Sequence, residues 1–206
     1  MALASEPRFR VHHALRIKGF VKADMLAELA GVSVAETEAQ LKALEADGLS
    51  AFREARGLWQ LTPAGRAAHA EALEADAGRH GFREGLGTTY HAFLGLNEDF
   101  KALCGDWQLR DGAPNDHTDA LYDAEVIKRL GVIDDVAQPL CHAIGDVAER
   151  FAGYAARLHA TRRAVEAGEN KMFTGVMCGS FHDVWMELHE DLILTQGIDR
   201  AKEGSF

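Results

Sequence analysis

The sequence predicts a mainly α protein with one small β-hairpin, its N-terminal third a small helical domain and its remainder a C-terminal helical bundle. Three observations predict it. Two amphipathic stretches meet at a glycine in "KADMLAELAGVSVAETEAQLKALEADGL", a short alternating stretch tipped by Arg56-Gly57 follows, and beyond residue 90 apolar residues recur at helical spacing.

The elements follow in order. "FRVHHALRIK" places Phe9, Val11, Leu15 and Ile17 on one face of a short helix. A second helix over 22–30 turns Met25, Leu26 and Leu29 inward, and Gly31 supplies its left-handed cap. Ser33 or its neighbour caps a third helix, with Val34, Leu41 and Leu44 facing the core and Gly48 ending it. A short helix, a glycine turn and a longer helix form the helix-turn-helix pattern. "LSAFREARGLWQL" then reads as two strands, carrying Leu49 and Phe52, and Leu58, Trp59 and Leu61. Thr62 is an N-cap and Pro63 suits the first helical position, which needs no N–H.

"LAELAGVSVAETEAQLKALEADGL", the glycine-tipped hairpin and "LTPAGR" resemble the N-terminal module of bacterial MarR-like and related winged-helix transcriptional regulators. The resemblance covers about a third of the chain. It implies a winged helix-turn-helix domain over 1–76, and double-stranded DNA as partner. In such a fold the N-terminal half of the second helix of the pair meets base edges. Here that surface offers Ser33, Thr37 and Gln40, with Lys42 further along, while Arg53 and Arg56 at the hairpin tip can meet phosphate or enter the minor groove. Glu36 and Glu38 on the same helix oppose phosphate. They favour the alternative, a winged-helix protein-interaction module serving as accessory subunit of an enzyme.

Residues 77–89, "AGRHGFREGLGTT" with its four glycines, read as a linker, and 90–206 as a helical bundle that senses an effector, dimerises, or both. "HAFLGLNEDFKALCGDWQL" repeats Phe93, Leu96, Phe100, Leu103 and Trp107. The long stretch from Ala120 is helical, with breaks expected near Gly131 and near Gly145 or Gly153, and a kink at Pro139. In the last helix, Phe181, His182, Trp185, Met186, Leu188, His189, Leu192 and Ile193 share one broad face. Asp183, Glu187, Glu190 and Asp191 fall on the other, toward solvent. Three readings stay open for the histidines: interior hydrogen-bonded groups, walls of a ligand pocket, or metal ligands. Seven residues separate them, about 10.5 Å along a helix, so metal binding needs further ligands from another helix. The pocket reading gathers Trp107, His117, Tyr154, His182, Trp185 and His189 around a small organic effector. In "PNDHTD" capping accounts for Asp116, Thr118 and Asp119 but leaves His117 unexplained.

The chain carries 206 residues with a net charge of −10, 47% hydrophobic and 26% charged, the balance of a globular protein. Up to Glu74 nine basic residues meet ten acidic ones, and beyond it thirteen meet twenty-two, so DNA affinity must come from a local cationic edge of the N-terminal part. No run reaches the ~20 apolar residues of a membrane span, the N-terminus has no signal-like apolar run, and a cytoplasmic homodimer is expected. The three cysteines form no metal-spaced pair, and no nucleophile elbow, phosphate loop or HExxH occurs. No enzyme activity, cofactor or metal is therefore expected.

Overall fold

In a computed structural model, which describes residues 4–78 and 82–198, the chain is mainly helical with a small antiparallel sheet of three strands. It divides into two compact units, Met1–Gly85 with Gly145–Gly153 and His189–Phe206, and Leu86–Ile144 with Tyr154–Leu188. Among the described residues no helix is long and apolar enough to cross a membrane.

The first unit opens with α1 (Pro7–Lys18), β1 (Phe20–Val21), α2 (Ala23–Ala30) and α3 (Val34–Ala46). The joint between α2 and α3 forms as its residues dictate. Gly31 takes φ 62° and closes α2, and the Ser33 hydroxyl accepts from the Glu36 amide to cap α3. Arg10 adds a second closure, donating through Nε to the Ala30 carbonyl at 2.8 Å and through Nη2 to that of Gly31 at 3.0 Å. The hairpin of β2 (Ser50–Arg53) and β3 (Leu58–Leu61) pairs Phe52 with Trp59 and Arg53 with Leu58. A third strand, β1, was not apparent from the sequence; two residues pair with Trp59 and Gln60 of β3, giving the order β1-β3-β2. Thr62 caps α4 (Pro63–Gly78), accepting from the Gly65 amide at 3.0 Å and donating to the Gly48 carbonyl at 2.7 Å.

The second unit takes its body from α5 (Phe82–Gln108), α6 (Ala120–Val147), α7 (Gly153–Glu166), the short α8 (Lys171–Thr174) and α9 (Phe181–Gln196), with a tiny β4–β5 ribbon (Leu109–Arg110 and Ala113–Pro114) after α5. Of the linker expected at 77–89, residues 79–81 lie outside the described residues, while 82–89 are the first turns of α5. Leu86 and Tyr90 are buried there and extend the Phe93, Asn97, Phe100, Cys104, Trp107 row by two turns. A glycine costs a helix only about 1 kcal/mol, less than one buried apolar side chain returns. The break expected at Gly131 is also absent: α6 runs unbroken from 120 to 147, through Pro139 as well. Gly131 instead makes room, since a Cβ there would lie 3.1 Å from the Arg162 guanidinium. The chain does break between Val147 and Gly153, where a single 3-10 turn, Glu149–Phe151, intervenes.

Candidate nucleic-acid interface

The core face of α3 is set by Thr37, Leu41 and Leu44, each 0% exposed. The sequence placed Thr37 among the base-reading residues; its burial removes it. The cause is the helical period, which puts position 37 on the same side as 41 and 44. Ser33 is exposed, but its hydroxyl is engaged as the cap, and Gln40 is half-buried with its amide donating to Glu36 Oε1 at 2.8 Å. Of the expected residues on this helix, Lys42 alone is exposed and makes no side-chain hydrogen bond or ion pair among the described residues. On the side of α3 opposite the core stand Ala35, Glu38, Ala39, Lys42 and Ala46, all exposed. Ala39 and Ala46 escaped attention in the sequence because they carry no polar group. A row of small residues nevertheless lets a helix approach a groove closely, and alanine can touch a thymine methyl.

Arg53 and Arg56 stand exposed at the hairpin tip, with Glu54 between them. With the Gln60 amide turned so that its oxygen faces across the hairpin, Arg53 Nε donates to it at 2.7 Å and is held on the outer face of the sheet. On the opposite face Phe52 and Trp59 lie 5.1 Å apart, Phe52 still 41% exposed. Arg8 is taken up by Asp47 at 2.6 Å, in a pair exposed on both sides that contributes little to stability.

Behind this surface lies a buried chain of polar groups that the sequence reading did not find. His13 Nδ1 meets His69 Nε2 at 2.8 Å, and His13 Nε2 meets Asp191 Oδ1 at 2.8 Å. Arg150, on the 3-10 turn, donates to Asp191 at 3.4 Å, to Asp76 at 3.2 Å and to the Thr195 hydroxyl, and Ser5 completes the chain on Asp76 at 3.1 Å. All seven side chains belong to the first unit and all are buried. Burial, with the neighbouring His13 and His12 adding to it, depresses His69 to about 2, so it is a neutral ring that can give or take one hydrogen bond. Asp191 is held below the usual carboxylate range: full burial opposes this, but the charges of His13 and Arg150 prevail. A cavity of about 10 Å³, the room of one water, opens beside the chain between Arg10, His13, Ile17, Leu29, Arg150 and Asp191.

Asp191 and Glu187 thus correct the expectation that the acidic side of α9 meets solvent. Glu187 is 6% exposed and accepts from Arg157 at 2.6 Å; Asp191 is 2% exposed. The α9 helix is buried nearly all round, and each inward acid is matched by a cation the helical wheel could not supply. The only signal in the sequence is the set of His12, His13 and His69, of which His12 and His69 share helix faces with Leu15 and Leu73.

Of the residues expected to line an effector pocket, Trp107 and His117 lie ring to ring, and each of the others has packing partners of its own. Trp185 is fully buried, ring to ring with Phe93 at 5.1 Å and Phe100 at 4.7 Å, and its indole N–H donates to Asn97 at 3.0 Å. Trp107 packs against Phe173 at 4.7 Å and His117 at 4.3 Å. His117 takes φ 57° and points Nδ1 at Asp123 Oδ2, 3.0 Å away, which explains the one "PNDHTD" residue that capping left over. Tyr154 is 1% exposed beside Arg157, whose guanidinium lies 5.7 Å from its ring centre. His182 is half-buried near Phe100, burial lowering its pKa, whereas His189 belongs to the first unit and is buried there. Ser180 caps α9, accepting from Asp183 N at 3.1 Å. Among the described residues no group of three or more His, Cys, Asp or Glu is disposed to hold a metal ion.

Comparisons of the chain with protein-family models, with curated proteins and with solved structures found no match.

Proposed function

We propose that this chain is a DNA-binding transcriptional regulator whose first unit is a winged helix and whose helical unit holds two chains together. The observation that carries the reading is the exposed side of α3, with Ala35, Glu38, Ala39 and Lys42, followed in the chain by a hairpin that carries Arg53 and Arg56 at its tip, with no acidic partner among the described residues. In this reading α3 enters the major groove with its alanine row against base edges, Lys42 meets phosphate, and Glu38 accepts from a cytosine amine. The arginines of the hairpin grip the flanking backbone or minor groove. A net charge of −10 keeps the rest of the molecule off the duplex, so affinity is concentrated in these few cations. The aromatic residues of the helical unit pack on one another, and the reading gives that unit pairing rather than effector binding.

The test is fluorescence anisotropy with the promoter duplex of its own gene and a random duplex, at several salt concentrations. Arg53→Ala with Arg56→Ala weakens binding to both and lowers the slope of log K against log salt by about 2, near one per lost phosphate contact. Equal affinity and slope for variant and parent would overturn the reading. A second reading, docking onto a protein partner through the same surface, is favoured by Phe20, Val34 and Phe52, each 41–45% exposed. It predicts no salt-dependent affinity for the random duplex.

A further inference from the structure

We propose that the outer face of α6 is a self-docking surface, on which α6 of a second copy of this chain lies antiparallel. The buried side of α6 is Val126, Leu130, Ile133, Ala137, Cys141 and Ile144. On the opposite side Leu121 is 85% exposed, Val132 59% and Val136 48%. At about 100° per residue Leu121, Glu125, Lys128 and Val132 lie within about 60° of one another, so the exposed apolar residues are a stripe and not the fringe of the core. Single exposed apolar side chains are ordinary on a protein surface, but an aligned row marks a place of association.

Charge decides what covers the stripe and in which direction. The spacing from Leu121 to Glu125 to Lys128 to Val132 is four, three, four, the same read from either end. Laid antiparallel about a two-fold axis between positions 126 and 127, Leu121 faces Val132 of the second copy and Glu125 faces its Lys128, so both apolar and both charged pairs are complementary. Laid parallel in register, Glu125 would face Glu125 and Lys128 would face Lys128. Within one chain Lys128 and Glu125 already pair at 3.5 Å, their side chains 74% and 62% exposed. So open a pair contributes little, and exchanging it for the same pair across the axis costs little. All four residues lie in the second unit.

The inference specifies the pairing of chains in the reading above and leaves DNA binding by the first unit independent. Sedimentation velocity over a concentration series tests it. The parent chain forms a reversible dimer. Glu125→Lys and Lys128→Glu, each alone, place like charges across the axis and raise the dimer dissociation constant about tenfold or more. An equimolar mixture of the two variants pairs at least as tightly as the parent, because all-lysine then meets all-glutamate. Val132→Asp weakens pairing in every combination. Circular dichroism checks that these exposed substitutions leave the fold intact. A parent that stays monomeric at the highest soluble concentration overturns the proposal, as do variants that pair like the parent, or a mixture that pairs no better than its components. Anisotropy on a duplex too short for two copies is read separately, so a failure of pairing is distinct from a failure of DNA binding.

Discussion

The two units fill their interiors differently. The second is built on aromatic contact: Trp185, Phe93, Phe100 and Phe181 pack ring to ring, with polar groups there tied in small sets such as Trp185 to Asn97, or Asp134 to Gln138, His159 and Arg162. The first also has an apolar core, but runs a connected chain of polar and charged groups through it, from His69 through His13, Asp191 and Arg150 to Asp76. The reason lies in connectivity. The first unit gathers segments from residues 1–85, 145–153 and 189–206, and directional groups fix the register of pieces that chain continuity does not hold together. Apolar packing tolerates small misfits, whereas a buried charge does not tolerate losing its partner.

The largest effect separates the two kinds of interior. Arg150→Met leaves Asp76 buried without its cation and Asp191 with His13 alone, and is expected to cost about 3–5 kcal/mol. Trp185→Phe keeps a ring in place and leaves Asn97 without its donor, at about 1–3 kcal/mol. Urea unfolding of both variants measures the difference. A smaller loss for Arg150→Met than for Trp185→Phe would mean that the buried polar chain is incidental to the first unit.

The sequence made the local devices of the first unit legible and its interior illegible. Ser33, Thr62, Gly31 and the Arg56-Gly57 turn act over two to five residues, so their spacing alone reveals them. Thr37 could have been assigned to the core by the same helical count that placed Leu41 and Leu44. His13 and Asp191 are 178 residues apart and could be joined only by the fold. In the helical unit the row from Phe93 to Trp107 was visible because apolar residues recur every three or four positions. Its first turns were hidden by glycines at 85 and 87, whose low propensity was outweighed by the burial of Leu86 and Tyr90. The face of α9 bearing Glu187 and Asp191 misled because a carboxylate is normally a mark of solvent.

A smaller effect comes from pH. The His69 pKa is about 2 in the folded chain, against about 6.5 when unfolded, so between these values the unfolded state binds a proton that the folded state refuses. Stability is therefore fully present above pH 6.5 and falls as pH drops below it, at up to about 1.4 kcal/mol per pH unit for this one group. His12 and His182 are lowered too and add in the same direction. Asp191 is lowered as well, but as an acid it loses its contribution only below the ordinary carboxylate range. The urea midpoint is expected to decline from pH 6.5 to 4.5, and His69→Gln to flatten that decline. An unchanged slope in the variant would show that His69 titrates normally in the folded protein.

The smallest effect asks whether the aromatic interior opens on its own. All three cysteines lie in the second unit. Burial pushes the Cys104 and Cys141 thiols up to about 12, Asp134 adding to the rise at Cys141, whereas Cys178 sits half-exposed ahead of α9. At pH 8 a thiol reagent is expected to label Cys178 promptly and the other two only as fast as the second unit opens, since the thiolate is the reacting species. Measured at pH 8 and pH 5.5 with a reagent that works at both, the protection of Cys104 and Cys141 reports one unit while the urea midpoint weighs both. If acid loosens the first unit alone, through His69, the midpoint falls while the protection of the two buried thiols is kept. If protection and midpoint fall together, the two interiors open as one cooperative block, and their contrast in construction is not a contrast in stability.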